Sequence, residues 1–148
     1  MDEKQRSHGI LLGMSEQNVE AFKRAVEAFS RRDMPAVLSY YDPEVEWYPG
    51  MEALLGGGTT VYRGHDGIRK LVQDLDEAFA EVEFEFRDYR DLGDRVIAIG
   101  EFRARGRASG AETTSPVAYI VDGKEGRATC VRAYLDPTEA LEVAGLRE

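Results

Sequence analysis

Apolar and polar residues alternate along much of the second half of the chain, and a period of two is typical of half-buried β-strands. The alternation is clearest in residues 82–86. Further strands are predicted at residues 95–105, 117–121 and 128–135. The pair Asp122-Gly123 joins the last two strands and is a strong hairpin signal. The pattern therefore predicts an antiparallel meander that buries one of its faces.

The first half of the chain repeats apolar residues every three or four positions, which is the spacing of one helix face. A first helix is predicted to start at Ser15, a suitable N-cap, and its apolar stripe consists of Val19, Phe22, Val26 and Phe29. A second, short helix follows Asp33, and a third opens at residues 64–67. Each helix therefore has an apolar face that is expected to pack against the sheet.

Two short paired strands are predicted between the second and third helices, at residues 45–48 and 60–63, and a last helical turn or two begins after Asp136. This order of elements predicts an α+β fold in which the helices cover one face of the sheet. With 148 residues the chain fits one domain. We expect residues 1–14 to form a loosely held tail and residues 15–146 to form a single domain.

Charge and composition narrow the possible partners. The formal net charge of -9 disfavours binding to nucleic acid or to an anionic membrane. No apolar run reaches the roughly 20 residues that cross a bilayer. The single cysteine, Cys130, cannot form an internal disulfide, and the two histidines do not have the spacing of a zinc site. We therefore expect a cytoplasmic protein with no metal and no cofactor.

Four phrases of the sequence resemble a known family. They are YDPEVEW at residues 41–47, YRGHDGI at 62–68, LGDRV at 92–96 and YLDPTEALEVAGL at 134–146. Together they resemble the SnoaL-like branch of the nuclear transport factor 2-like superfamily. The resemblance implies a cone-shaped half barrel: a curved antiparallel sheet, three N-terminal helices over its concave face, a short C-terminal helix and a pocket inside. It also implies a homodimer, which we expect to form through the uncovered face of the sheet.

The resemblance does not select an activity, because the fold includes polyketide cyclases, ketosteroid isomerase, limonene epoxide hydrolase and proteins with no known reaction. The tyrosine and the two acids of the isomerase fall by spacing near Ala25, Tyr48 and Val117, none of which can replace them. The arginine and aspartate of the epoxide hydrolase are matched only in reversed order, by Glu101 and Arg103.

Acid–base chemistry in such a pocket needs a buried carboxyl group whose pKa is raised by desolvation. Glu101 and Arg103 would point into the cavity together if Ile97 and Ile99 face the helices. Alternatively, the small residues of that strand lie under the helices and the charges face solvent. His65 could act as an acid or base near neutral pH, or it could serve only at the start of the third helix.

Two other acids have simpler interpretations. Glu46 alternates away from its apolar neighbours and is expected in solvent, and Asp136 is expected to cap the last helix. Cys130 is expected to be a small buried core residue.

The predicted ligand-binding residues are mostly aromatic, because Tyr and Trp combine an apolar ring with a polar tip. They are Tyr40, Trp47, Tyr62, Tyr119, Arg132 and Tyr134. Arg132 either reaches a ligand anion inside the cone or lies on the outer face. Trp47 is expected to be buried, either lining the cavity or sealed from it.

Three functional hypotheses follow. The first is a small-molecule enzyme of cyclase, isomerase or hydratase type that uses acid–base chemistry without a cofactor. The second is a ligand-binding module without chemistry, with a small apolar or aromatic molecule in the cone. The third is a dimerisation domain with a filled cone. A cavity that contains a carboxyl group would favour the first, an apolar cavity the second, and a filled cone the third.

Overall fold

The structure is a computed structural model that describes residues 3–49 and 61–145, with side chains described from residue 17 onward. The helices are α1 (Glu3–Ser30), α2 (Met34–Tyr40), α3 (Gly64–Ala78) and α4 (Pro137–Val143). The strands are β1 (Tyr41–Tyr48), β2 (Tyr62–Arg63), β3 (Phe79–Asp91), β4 (Arg95–Gly106), β5 (Glu112–Lys124) and β6 (Arg127–Tyr134). The predicted α+β class is confirmed.

The six strands form one curved, open sheet in the order β2-β1-β6-β5-β4-β3. All neighbours are antiparallel except β1 and β6, which are parallel, with Trp47 opposite Val131. The expectation of a purely antiparallel sheet is therefore wrong at this pair. A parallel neighbour is possible there because α3 and three long strands separate β1 from β6 along the chain, which gives the connection that a crossover requires.

The curvature of the sheet has local causes in its strand pairs. The register shifts between Phe86 and Asp88 on β3 and between Asp122 and Gly123 on β5, and such bulges bend a strand. Beside the first bulge, a Cβ on Gly100 would lie 1.9 Å from the carbonyl oxygen of Glu85. Glycine is therefore required at this position, because the backbones of β3 and β4 approach each other too closely for a side chain.

Helix boundaries agree with the sequence analysis at some ends and differ at others. Asp33 caps α2 and Asp136 caps α4, each through its side chain, as predicted. Helix α1 begins at Glu3, so the predicted start at Ser15 is wrong. The loose hold predicted for residues 1–14 stays a prediction. Residue 60, predicted as the start of a short strand, and residue 146, predicted as the end of the domain, lie outside the described part of the chain.

Three of the helices cover the concave face of the sheet, and the fourth covers part of the convex face. Helices α1, α2 and α3 bury their apolar stripes against the concave face, in a core that includes Phe22, Ile68, Trp47, Phe102 and Tyr119. On the convex face, Ala140 and Leu141 of α4 cover a smaller core with Ile97, Ala118 and Ile120. Strands β4 and β5 are therefore apolar on both faces over part of their length.

The rest of the convex face of β3 and β4 carries charges. Glu83 on β3 lies opposite Arg103 on β4, and Glu81 lies opposite Arg105. Both pairs form ion pairs, at 3.4 Å and 2.6 Å. These side chains are largely exposed, so each pair contributes little, about 0.2–1 kcal/mol.

Candidate ligand cavity

A cavity of about 60 Å³ lies between the three helices and the concave face of the sheet. All the described side chains on its wall are apolar or aromatic: Phe22, Ala25, Val26, Phe29, Val37, Tyr40, Tyr41, Trp47, Ile68, Leu71, Val72, Leu75, Phe84, Phe86 and Tyr119. The volume is enough for a few water molecules, since one water needs roughly 10–15 Å³ measured in this way. The cone is therefore neither fully filled nor wide.

Each element contributes to the wall according to its own period. Helix α1 contributes Phe22, Ala25, Val26 and Phe29, at intervals of three and four, which place them on one face. Strand β3 contributes Phe84 and Phe86, two residues apart and therefore on the same side of the sheet. The apolar helix faces predicted from the sequence thus form the side of the cavity wall that lies opposite the sheet.

Aromatic rings pack edge to face around the cavity. The Phe22 and Phe86 rings are 4.9 Å apart at 73°, and the Trp47 and Tyr119 rings are 5.4 Å apart at 87°. Edge-to-face pairs contribute about 0.5–1.5 kcal/mol each beyond the burial of their area. These contacts stabilise the wall, and the pair of Phe22 with Phe86 does so between α1 and the sheet.

The described side chains of the wall carry polar atoms at four places, which are three phenol hydroxyls and one indole N–H. Burial raises the pKa of Tyr40 and of Tyr119 well above the ordinary value, with a smaller contribution from the Tyr41 hydroxyl. Burial also raises the pKa of Tyr41 to about 12, although the N–H of Trp47 partly offsets the rise. All three phenols are therefore protonated at neutral pH and can donate hydrogen bonds.

Trp47 is buried, as predicted, with 2% of its surface exposed. Its Nε1 atom is buried and has no hydrogen-bond partner within the described part of the chain. The N–H lies close enough to the Tyr41 hydroxyl to influence the Tyr41 pKa, but the two groups do not reach hydrogen-bond geometry. A buried, unpaired donor is uncommon in folded proteins.

His65 does not reach the cavity wall. It lies at the start of α3, and its Nε2 donates a hydrogen bond to the carbonyl oxygen of Tyr41 at 2.8 Å. This hydrogen bond connects the start of α3 to the first residue of β1. His65 therefore helps to position these two elements and does not line the cavity.

Tyr62 is buried behind the wall and is not part of it. Its hydroxyl donates to Oδ2 of Asp74 at 2.6 Å, and Lys70 Nζ contacts Oδ1 of the same carboxylate at 2.5 Å. Burial raises the pKa of Asp74, but the hydrogen bonds from Lys70 and Tyr62 outweigh it, so the pKa is lowered. Asp74 is therefore an ionised, structural carboxylate.

Of the two orientations considered for β4, the one that points Glu101 and Arg103 into the cavity is wrong, and the one with the charges facing outward is observed. Glu101 lies on the convex face 3.4 Å from Arg87, and Arg103 lies there beside Glu83. The opposite side of β4 faces the helices, where Phe102 is 1% exposed and Ala104 is also buried. A strand alternates strictly, so burying Phe102 requires both charged neighbours to point outward.

Arg132 and Tyr134 are also on the convex face. Arg132 lies opposite Ile120, which belongs to the core under α4, and its guanidinium is 5.9 Å from the centre of the Tyr48 ring. Tyr134 packs against the same outer core. The prediction that these two residues bind a ligand inside the cone is wrong, because their inward neighbours are Val131 and Ala133.

Glu46 and Cys130 share this outer face. Glu46 forms an ion pair with Arg63 and accepts a hydrogen bond from the Tyr48 hydroxyl at 3.1 Å, so it is on the solvent side as predicted. Cys130 lies opposite Glu46 and is half-buried rather than part of the core. Burial raises the pKa of its thiol, which makes Cys130 a poor nucleophile.

Three of the six predicted ligand-binding residues line the cavity together: Tyr40, Trp47 and Tyr119. Phe22, Ala25 and Phe29 were not assigned to the site from the sequence, although their periodicity marked them as inward-facing. Within residues 17–49 and 61–145 no group of three or more His, Cys, Asp or Glu side chains could hold a metal ion. None of the helices described here is long and apolar enough to cross a bilayer.

Comparison with known proteins places the chain by sequence and by fold. The model of the SnoaL-like domain matches residues 22–131. No protein of curated function matches the chain. An NTF2-like protein of unknown function from Burkholderia pseudomallei is 27% identical, with a TM-score of 0.71 over 85% of this chain and 95% of that one.

Two further solved structures have names that mention a ligand or an activity. TerC, co-crystallised with polyporic acid, is 25% identical, with a TM-score of 0.71 over 87% of this chain and 98% of TerC. An epoxide hydrolase of LEH-like type from M. tuberculosis is 17% identical, with a TM-score of 0.63 over 82% of this chain and 84% of the hydrolase. The second similarity shows the fold alone.

Proposed function

This chain belongs to the SnoaL-like domain family, within the NTF2-like superfamily, and we propose that it binds a small apolar or aromatic molecule in the cone cavity without acid–base catalysis. The composition of the cavity wall carries the proposal. Every described side chain on the wall is apolar or aromatic. The polar atoms of these side chains are neutral: the phenol hydroxyls can donate or accept a hydrogen bond, and the indole N–H can only donate one. An apolar cavity with a few fixed polar atoms is the usual form of a small-molecule site.

The position of the carboxyl groups favours binding over catalysis. A proton shuttle at neutral pH most often uses a carboxyl or imidazole group within reach of the ligand. The phenols of Tyr40, Tyr41 and Tyr119 on the wall are poor bases there, because burial raises the pKa of each. In the described part of the chain, Glu101 lies on the other face of the sheet, Asp74 is engaged by two hydrogen bonds, and His65 contacts a backbone carbonyl. The cyclase, isomerase or hydratase chemistry considered from the sequence therefore has less support than binding alone.

The size of the cavity limits what it can hold without moving. An engineered protein cavity that binds benzene has about 150 Å³, more than twice the volume found here. A ligand with an aromatic ring must therefore widen the space between the helices and the sheet. The co-crystal of TerC with polyporic acid supports small-molecule binding by a protein of this fold.

The proposal can be tested by filling the cavity. Ala25 is on the wall, and Ala25→Leu adds three carbon atoms to a space of about 60 Å³. Calorimetric titration with toluene should show saturable binding to the wild-type protein and at least a tenfold loss of affinity in Ala25→Leu. Ala36→Leu is the matched control, because Ala36 packs against the same core but is not on the wall.

Equal toluene affinity in Ala25→Leu and in the wild type would contradict the proposed site, provided that circular dichroism shows both proteins folded.

The homodimer, the cytoplasmic location and the absence of nucleic-acid, membrane, metal and cofactor partners remain predictions from the sequence.

A further inference from the structure

The indole N–H of Trp47 is a buried donor without an acceptor. The side chain is 2% exposed, and its Nε1 atom finds no hydrogen-bond partner in the described part of the chain. Burying such a group without a bond is unfavourable, because the donor gives up its bond to water. In proteins generally, the N–H of a buried tryptophan and the O–H of a buried tyrosine usually find a hydrogen-bond partner. The Tyr41 hydroxyl lies beside this N–H without reaching hydrogen-bond geometry, so the N–H is available to an acceptor that another molecule brings.

The surroundings of Trp47 locate that molecule in the cavity. Trp47 is on the cavity wall, with its ring edge to face against Tyr119 at 5.4 Å. Its N–H is near the hydroxyl of Tyr41, which is on the same wall. The unpaired donor and the cavity are thus one site, held by β1 of the sheet and by the aromatic pair.

We infer that the ligand of this cavity is a neutral molecule that carries a hydrogen-bond acceptor, such as a ketone oxygen on an apolar ring, and that this acceptor takes the N–H of Trp47. The inference rests on the proposed function and adds the chemical class of the ligand. An indole N–H can only donate, so the complementary group must be an acceptor.

The charge of the ligand follows from the wall. No arginine, lysine or histidine is among its described side chains, so an anion would lose its hydration without gaining a counter-charge. No carboxylate is among them either, so a cation is disfavoured for the same reason. A carbonyl oxygen costs much less to bury than an ion and gains a full hydrogen bond from Trp47.

Three probes of nearly equal shape separate these properties. Acetophenone carries a ketone oxygen, α-methylstyrene has a methylene group in place of that oxygen, and benzoate is a charged relative. Calorimetric titration of the wild-type protein should give about tenfold tighter binding for acetophenone than for α-methylstyrene, the ratio expected for one satisfied buried donor. Benzoate should bind more weakly than either neutral probe.

Two variants separate the hydrogen bond from the shape of the site. Trp47→Phe keeps an aromatic ring but removes the N–H, so the preference for acetophenone over α-methylstyrene should fall to about onefold. Tyr62→Phe is the control: it removes a hydroxyl that is bound to Asp74 behind the wall, and it should leave the preference unchanged. A purely structural role of Trp47 would weaken both probes equally and keep their ratio.

The single tryptophan also gives a direct spectroscopic readout. In a proton–nitrogen correlation spectrum the protein has one indole N–H signal, and acetophenone should shift it downfield whereas α-methylstyrene should not. Binding of both neutral probes with equal affinity and no selective shift would overturn this inference and leave the proposed function intact. Failure of all three probes to bind would overturn both.

Discussion

The two faces of the same sheet differ in what they bury. On the concave face, Phe102 and Tyr119 pack under three helices, and Tyr119 also lines a small apolar cavity. On the convex face, the same strands carry charged pairs such as Glu83 with Arg103 and, further along, a small core under α4. Adjacent residues of one strand therefore experience opposite environments. The difference shows that the direction of a side chain, and not its place along the strand, decides whether it can belong to the ligand site.

The largest expected effect compares two neighbours on β4. Phe102→Ala should lower the free energy of unfolding by about 3–5 kcal/mol, because it removes a buried ring and leaves a cavity. Arg103→Ala, one residue further, should cost less than about 1 kcal/mol, because its ion pair with Glu83 is exposed. Urea denaturation of both variants measures the contrast. Equal losses would mean that β4 does not separate the two faces in this way.

A smaller effect tests the polar contact behind the cavity wall. Tyr62→Phe should lower the free energy of unfolding by about 1 kcal/mol near neutral pH, because it removes the hydroxyl bound to Asp74. The folded-state pKa of Asp74 is lowered, so this contribution is complete above the unfolded pKa of about 4 and is lost as the pH falls through the folded pKa. The difference from the wild type should therefore be constant above about pH 5 and shrink in acid.

Tyr89→Phe is the control for this pH dependence. Tyr89 packs against the same core and contacts the Lys23 ammonium through its ring, without a hydrogen bond to a carboxylate in the described part of the chain. Its substitution should give no change in the acidic range. A difference between Tyr62→Phe and the wild type that grows as the pH falls would contradict the account of Asp74.

The fold could be predicted from periodicity because helix and strand periods leave distinct patterns in the sequence. The stripe of α1 and the alternation of β3 both led to the correct faces. Trp47 was placed correctly because Val45 and Trp47 alternate with Glu46, whose charge marks the outer side. The parallel pairing of β1 with β6 could not be predicted in this way, since it depends on the path of the whole chain.

The candidate site was harder to predict because β4 and β5 are apolar on both faces. Ile97 and Ile99 were considered for the inner face, but Ile97 belongs to the core under α4 and Ile99 packs against that core. The residue that resolves the ambiguity is Phe102: it shares a side with Ala98 and Ala104, and its burial forces Glu101 and Arg103 outward. A large aromatic residue between two charges was the signal that the sequence analysis overlooked.

The central claim is that the ligand site is the cavity beside Trp47. The most direct measurement is the emission of this single tryptophan during a titration with toluene, with excitation at the red edge of tryptophan absorption, where toluene does not absorb. The account predicts a saturable change whose midpoint equals the calorimetric dissociation constant and which Ala25→Leu abolishes. Toluene binding that is clear by calorimetry but leaves the emission unchanged, or alters it linearly and equally in Ala25→Leu, would contradict the account.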